Sequence, residues 1–198
     1  NLGINVNMKA VLADIKEKFQ NGASLDYMAS RGEFLSGKMI AEYIGYDFVD
    51  AADIIKFDKK GRLLEENTEE AIKDSLKNHE RAVIPGFYGS KPDGSIKTFS
   101  RGGSDITGAL VASAMKADVY ENWTDVSGFM VADPRIIKDP KPISTISYME
   151  LRELSYMGAS VLHEEAIYPA RVANIPINIR NTNEPDNPGT MITAEPCE

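Results

Sequence analysis

A single cysteine in 198 residues, Cys197, leaves this chain without an internal disulfide, so its fold must stand on packing alone. That usage matches a reducing compartment, and a cytoplasmic location is expected. Positive charge is also in deficit, with 22 Lys and Arg against 30 Asp and Glu and a formal net charge of −8. Wrapping a nucleic acid needs a basic face, so no nucleic acid partner is expected. No stretch approaches the roughly 18 consecutive apolar residues of a membrane span, and the uncharged residues 1–7 are not expected to be a signal segment. No membrane partner is expected either. The two histidines, His79 and His163, lack a Cys or His companion at ligand spacing, so no protein-held metal site is expected. An anionic ligand stays open, because a local cluster of Arg and backbone N–H groups can outweigh the global charge.

What is present is ordinary for a globular chain: 42% apolar and 26% charged residues. The length allows one sizeable core. The sequence opens on Asn1 rather than Met, and it is expected to be an excerpt of a longer chain. Asn122-Trp123-Thr124 matches a glycosylation acceptor but reads as a chance match inside a strand.

Met8, Val11, Leu12, Ile15 and Phe19 recur at helical spacing and stop at Asn21-Gly22. A second helix is expected over 33–44, ending at Gly45 as C-cap. Residues 47–50 read as a short buried strand. Asn67 with Glu70 is a capping-box signature for a helix through Leu76. Ala82-Val83-Ile84 is a strand emptying into Pro85-Gly86, and Pro92-Asp93-Gly94 is a turn. A helix over 104–117 has Leu110, Val111, Ala114 and Met115 as its apolar stripe, and 118–124 returns as a strand. Ser147 and Glu150 cap another helix, 164–173 is helical, and 175–179 closes as a strand. This alternation predicts an α/β domain with a largely parallel sheet, whose ligands bind beyond the carboxyl ends of the strands.

The loops there carry the chemistry. Ser100-Arg101-Gly102-Gly103-Ser104-Asp105 leads into a helix, where adjacent glycines allow close approach and the helix start offers free N–H groups. Arg101 adds a fork that matches a carboxylate. The bland alternative is a Gly-rich turn with Ser104 as N-cap. Ser30-Arg31-Gly32-Glu33 reads as a second helix start, where a Glu is either plain dipole chemistry or a partner for a substrate ammonium. Glu33 and Arg101 together suit a zwitterionic amino acid. Trp123-Thr124-Asp125-Val126 closes a strand, where a Thr-Asp pair can bond a base or ribose. Arg135, in Ala132-Asp133-Pro134-Arg135, is placed to meet phosphates.

In this order, and with Pro85-Gly86-Phe87, Gly158-Ala159, Val161-Leu162-His163 and Ile175-Pro176-Ile177, these segments resemble the aspartate kinases of the amino acid kinase superfamily. The resemblance runs from about residue 24 to 192. It implies a three-layer α/β/α sandwich with a mostly parallel central sheet. It also implies transfer of the γ-phosphoryl group of ATP, with Mg²⁺, to the side-chain carboxylate of L-aspartate, the first step toward lysine, threonine and methionine. Glu33, Arg101, Gly102 and Ser104 would then bind aspartate, and Asp105 would organise the catalytic centre. Thr124, Asp125, Met130, Arg135 and Ser160 would line the ATP site. The resemblance further implies a homodimer or higher homo-oligomer for the full-length protein.

Three departures stand out. The family's Lys-Phe-Gly-Gly segment is absent, Ser160 replaces a common lysine with Glu164 where a Pro is usual, and Met130 replaces a common tyrosine. Residues 1–198 are therefore expected to be a partial catalytic domain, lacking an N-terminal strand-helix segment and the C-terminal ACT domains. The piece alone is expected to show little or no turnover. The alternatives are a glutamate, acetylglutamate or nucleotide kinase of the same superfamily, and a non-catalytic module that senses an amino acid.

Overall fold

A computed structural model describes residues 7–132, 136–156, 162 and 164–195. It divides into two compact units, residues 1–107 and 108–198.

In the first unit, α1 (Met8–Gln20) starts where the Asn7 side chain accepts the Ala10 N–H at 3.2 Å. Of its expected apolar stripe only Ile15 is buried; Leu12 and Phe19 are exposed. Helix α2 (Leu25–Ile44) begins eight residues earlier than the sequence suggests, because Ser24 Oγ caps it by accepting the Tyr27 N–H at 3.1 Å. It ends at Gly45 in the left-handed region, φ 73°, as expected. Strand β1 (Asp47–Phe48) pairs in parallel with β2 (Ala82–Val83). Asp47 is exposed, so burial of that segment falls instead on Val49 and the short helix α3 (Ala51–Ile54).

Helix α4 (Glu65–Leu76) ends where expected but starts two residues before Asn67. The expected capping box is therefore not formed, and Leu64 makes no side-chain cap. Thr68 in this helix accepts the Lys56 N–H at 3.0 Å, and buried Ile72 and Leu76 hold it down. Strands β3 (Tyr88–Ser90) and β4 (Ile96–Thr98) form an antiparallel hairpin whose turn uses Gly94 at φ 79°. Helix α5 (Gly103–Met115) starts in this unit and continues into the second.

The second unit holds a four-stranded sheet. Its strands are β5 (Tyr120–Thr124), β6 (Thr145–Ser147), β7 (Ile177–Asn181) and β8 (Thr190–Thr193), in spatial order β5-β7-β8-β6. The β5-β7 and β6-β8 ladders are parallel and β7-β8 is antiparallel. Alternating Ile177 and Ile179, with Ile192 opposite, are fully buried, the period of two expected of a strand with one inward face. They pack with Ala109, Ile146, Leu151, Ile167 and Ala170 into one core. On α5, Ala109 and Ala112 enter this core, whereas Met115 of the expected stripe is exposed.

The capping box expected at Ser147 is formed: its Oγ accepts the Glu150 N–H at 3.2 Å, and Glu150 accepts the Ser147 N–H at 2.7 Å. It opens α6 (Tyr148–Tyr156). The helix expected over 164–173 is a 3₁₀ turn, Glu164–Ile167, followed by α7 (Tyr168–Val172), with Pro169 in its first turn. Burial pushes the Tyr148 hydroxyl up to about 12, so it stays a donor to the Ile175 carbonyl at 2.6 Å. On the exposed side of the sheet, Trp123 stacks on the Arg180 guanidinium at 4.7 Å and donates to Glu121 at 3.1 Å.

Candidate active site

The loop 100–105 is shaped by backbone contacts that leave no room for side chains. A Cβ on Gly103 would lie 2.9 Å from the Phe87 Cα, and one on Gly86 would lie 2.9 Å from the Ser104 Cα. The segment after β2 therefore packs directly on the start of α5. Hydrogen bonds complete the clamp: Phe99 N–H to Phe87 O at 2.9 Å, Phe87 N–H to Thr107 Oγ1 at 3.2 Å, and Thr107 Oγ1 to Gly103 O at 2.8 Å. Phe87 takes φ 81°, a cost for a non-glycine residue that this packing sustains. Gly102 takes φ 58°, and its carbonyl accepts the Ile106 N–H at 2.9 Å.

On this fixed backbone Arg101 and Ser104 are exposed and Asp105 is half-buried. Arg101 makes no side-chain bond among the described residues, and its exposure leaves the guanidinium open to solvent. The expected grouping of Arg101, Gly102, Ser104 and Asp105 is therefore present at one helix start.

Glu33 belongs to the same unit but not to a helix start. It sits two turns inside α2, so its expected dipole role is withdrawn. It is exposed, and no bond joins it to Arg101. Ser30 and Arg31, from the same motif, are buried instead. The first turn of α2 is tied to the strand leading into the loop: Asp26 accepts from Thr98 Oγ1 at 2.5 Å and Lys97 Nζ at 3.1 Å. Burial pushes the Asp26 carboxyl up, but the bonds from Thr98 and Lys97 outweigh it and hold the group below its ordinary range. A depressed folded-state value means the tie is intact above the unfolded-state value and is lost as pH falls through the folded one. Asp26→Asn is expected to flatten the acid limb of a stability-against-pH profile measured by denaturant unfolding. An unchanged acid limb would show that the tie carries no stability.

In the second unit, Thr124 and Asp125 close β5 at its carboxyl end, where the sequence placed them. Thr124 Oγ1 donates to Asp125 at 3.3 Å, and the Thr124 carbonyl accepts from Thr182 N–H at 2.8 Å. Asp125 is exposed, and Met130 is exposed on a bridge to Pro142. Arg135 and Ser160 lie outside the described residues.

The sequence reading missed a neighbouring cluster. Asn181 stands opposite Thr124, donates to Ser127 Oγ at 2.8 Å, and Ser127 donates to Glu184 at 2.7 Å. The signal was available: a polar Asn181-Thr182-Asn183 run follows the last predicted strand.

Among the described residues no three His, Cys, Asp or Glu side chains come together as a metal site. His79 instead pairs with Asp47, Nδ1 to carboxylate 2.7 Å. No helix of the described residues is long and apolar enough to cross a membrane.

The chain matches the amino acid kinase family over residues 2–181. It is 40% identical over 179 residues to aspartokinase 3 of Bacillus subtilis, covering 86% of this chain and 39% of that protein. Its fold superposes on the aspartate kinase of Clostridium acetobutylicum with a TM-score of 0.93 and 56% identity, covering 97% of this chain and 44% of the other. It also superposes on E. coli aspartokinase III in complex with aspartate and ADP, with a TM-score of 0.81, 25% identity, and coverage of 98% and 48%. The chain thus spans less than half the length of these relatives.

Proposed function

The chain belongs to the amino acid kinase family, and from that premise we propose that it is part of a longer aspartate kinase, carrying groups for both substrates. The observation that carries the reading is Arg101, an exposed guanidinium with no partner among the described residues, on a backbone locked by Gly86, Gly103 and Thr107. Binding a substrate carboxylate there orders only the side chain, because the backbone is already in place.

In this reading the guanidinium of Arg101 holds the α-carboxylate of L-aspartate and Glu33 receives its ammonium group. The N–H groups at the start of α5, with Ser104 and Asp105, orient the side-chain carboxylate. That carboxylate is already an anion at neutral pH, so the chain needs no general base. Its task is alignment and neutralisation of spread negative charge. One carboxylate oxygen forms a bond to the γ-phosphorus of ATP as the bond to ADP breaks, giving 4-phospho-L-aspartate.

Thr124, Asp125 and Met130 contact the nucleotide, and Arg135 and Ser160 are assigned with them by the sequence resemblance. A hydroxyl-carboxylate pair at a strand's carboxyl end, half-buried Thr124 with exposed Asp125, suits a ribose or base. With no three-ligand cluster among the described residues, Mg²⁺ fits as an ion held chiefly by phosphates and by one carboxylate such as Asp105. The assigned setting is the cytoplasmic, oligomeric enzyme that opens lysine, threonine and methionine synthesis.

The test is hydroxylamine trapping of acyl phosphate by the full-length protein bearing these residues, with MgATP and either aspartate, glutamate or acetylglutamate, and release of ADP in place of trapping for uridylate, whose product is a phosphoanhydride. Aspartyl hydroxamate is the expected product. Turnover of another acceptor with none of aspartate would overturn the assignment.

A further inference from the structure

The first unit carries a solvent-open cavity of about 590 Å³ that none of the residues assigned above lines. Its walls include Lys18, Ser24, Tyr27 and Ile96, and it reaches both Arg31 and Asp50. Such a volume suits a small ligand.

Arg31 is the unusual member. Its residue exposure is 8%, and the guanidinium lies 4.4 Å from the Tyr27 ring centre, 4.5 Å from that of Phe34 and 5.4 Å from that of Tyr88. It donates to the Tyr27 carbonyl at 3.2 Å and to Ser30 Oγ at 2.8 Å. Among the described residues no carboxylate pairs with it. Taking a cation out of water is expensive, and the aromatic faces offset only part of that cost. Asp50 presents the opposite charge to the same cavity. One of its oxygens accepts the Tyr88 hydroxyl at 2.7 Å and the Ala52 N–H at 3.0 Å, and no cation pairs with it among the described residues.

Tyr88 therefore touches both groups: its ring faces the guanidinium and its hydroxyl holds the carboxylate. The two charges share a cavity without joining each other. A ligand with one anionic and one cationic end satisfies both. We propose that this cavity is a second amino-acid site, binding the carboxylate of a free α-amino acid at Arg31 and its ammonium group at Asp50. Arg31 offers the planar fork that suits a carboxylate. Tyr27 and Ile96 supply an apolar wall for the side chain. Lys18, at the rim, is already paired with Asp14 at 2.9 Å and adds only positive potential.

The experiment is isothermal titration of the chain carrying Arg101→Met, which removes the proposed aspartate contact, with each common free amino acid in turn. At least one is expected to give saturable heat in the millimolar range or tighter. Arg31→Met is expected to abolish it. Ala23→Phe, which fills the cavity from its loop wall and leaves every charge in place, is expected to do the same. Circular dichroism reports whether each variant folds, and if Arg31→Met does not, Ala23→Phe decides. Absence of saturable heat from every amino acid, or heat that survives Ala23→Phe, would overturn the proposal. Failure of the aspartate kinase reading would appear in the hydroxamate assay and not in this titration.

Discussion

Arg101→Ala in the full-length kinase is expected to lower kcat/KM for aspartate roughly 100-fold or more while leaving the KM for ATP near its original value. The reason lies in how little else changes. Arg101 is exposed and makes no side-chain bond among the described residues, so truncation removes nothing that holds the fold. What disappears is the cation that the proposed function assigns to the substrate carboxylate. Arg101→Lys restores charge but not the planar fork, so it should recover only part of the loss. Steady-state kinetics varying aspartate and ATP separately make the check. An equal fall in apparent affinity for both substrates would place Arg101 outside an aspartate-specific contact. A loss confined to ATP would move it to the nucleotide.

Gly128→Ala is expected to destabilise the second unit by about 3–5 kcal/mol, enough to unfold a marginal domain. Gly128 takes φ 86°, which a Cβ disfavours. That Cβ would also lie 2.7 Å from the Thr190 backbone nitrogen and 2.9 Å from its Cβ. Thr190 is fully buried at the start of β8 and has no room to retreat. Its hydroxyl accepts the Phe129 N–H at 2.8 Å and donates to the Ile143 carbonyl at 2.6 Å. Displacing it strands two buried backbone groups as well as forcing the backbone. Urea unfolding of wild type and variant measures the difference, and a loss below about 1 kcal/mol would mean the loop relaxes freely.

Legibility in the sequence followed the range of the interactions. Helix ends set by local chemistry were readable: Gly45 stops α2, and Ser147 with Glu150 opens α6. The start of α2 was not, because Ser30-Arg31-Gly32 mimics a boundary inside the helix. The helix simply carries Gly32 through. Asn67 and Glu70 had the right spacing for a cap, but Thr68 is drawn inward to Lys56 and the helix starts before them. Strands β6 and β8 are three and four residues long and gain their identity from pairing with each other, which no local pattern announces.

For the site, the glycine loop and Arg101 could be read directly, since close approach and charge are written in residue type. The Phe87 backbone that supports them could not, because a positive φ at Phe has no sequence signature. Nor could the fate of Arg31, a surface residue by type whose burial comes from three aromatic rings, one of them from distant β3.

Trp123 is the only tryptophan in the chain, and its stack on Arg180 lies wholly within the second unit. Intrinsic emission excited at the indole band is consequently a private reporter of that unit, with the first unit silent. Far-UV circular dichroism sums the helices of both. Overlaying the two denaturation curves therefore tells whether the units melt as one cooperative block or in succession, without any label being attached.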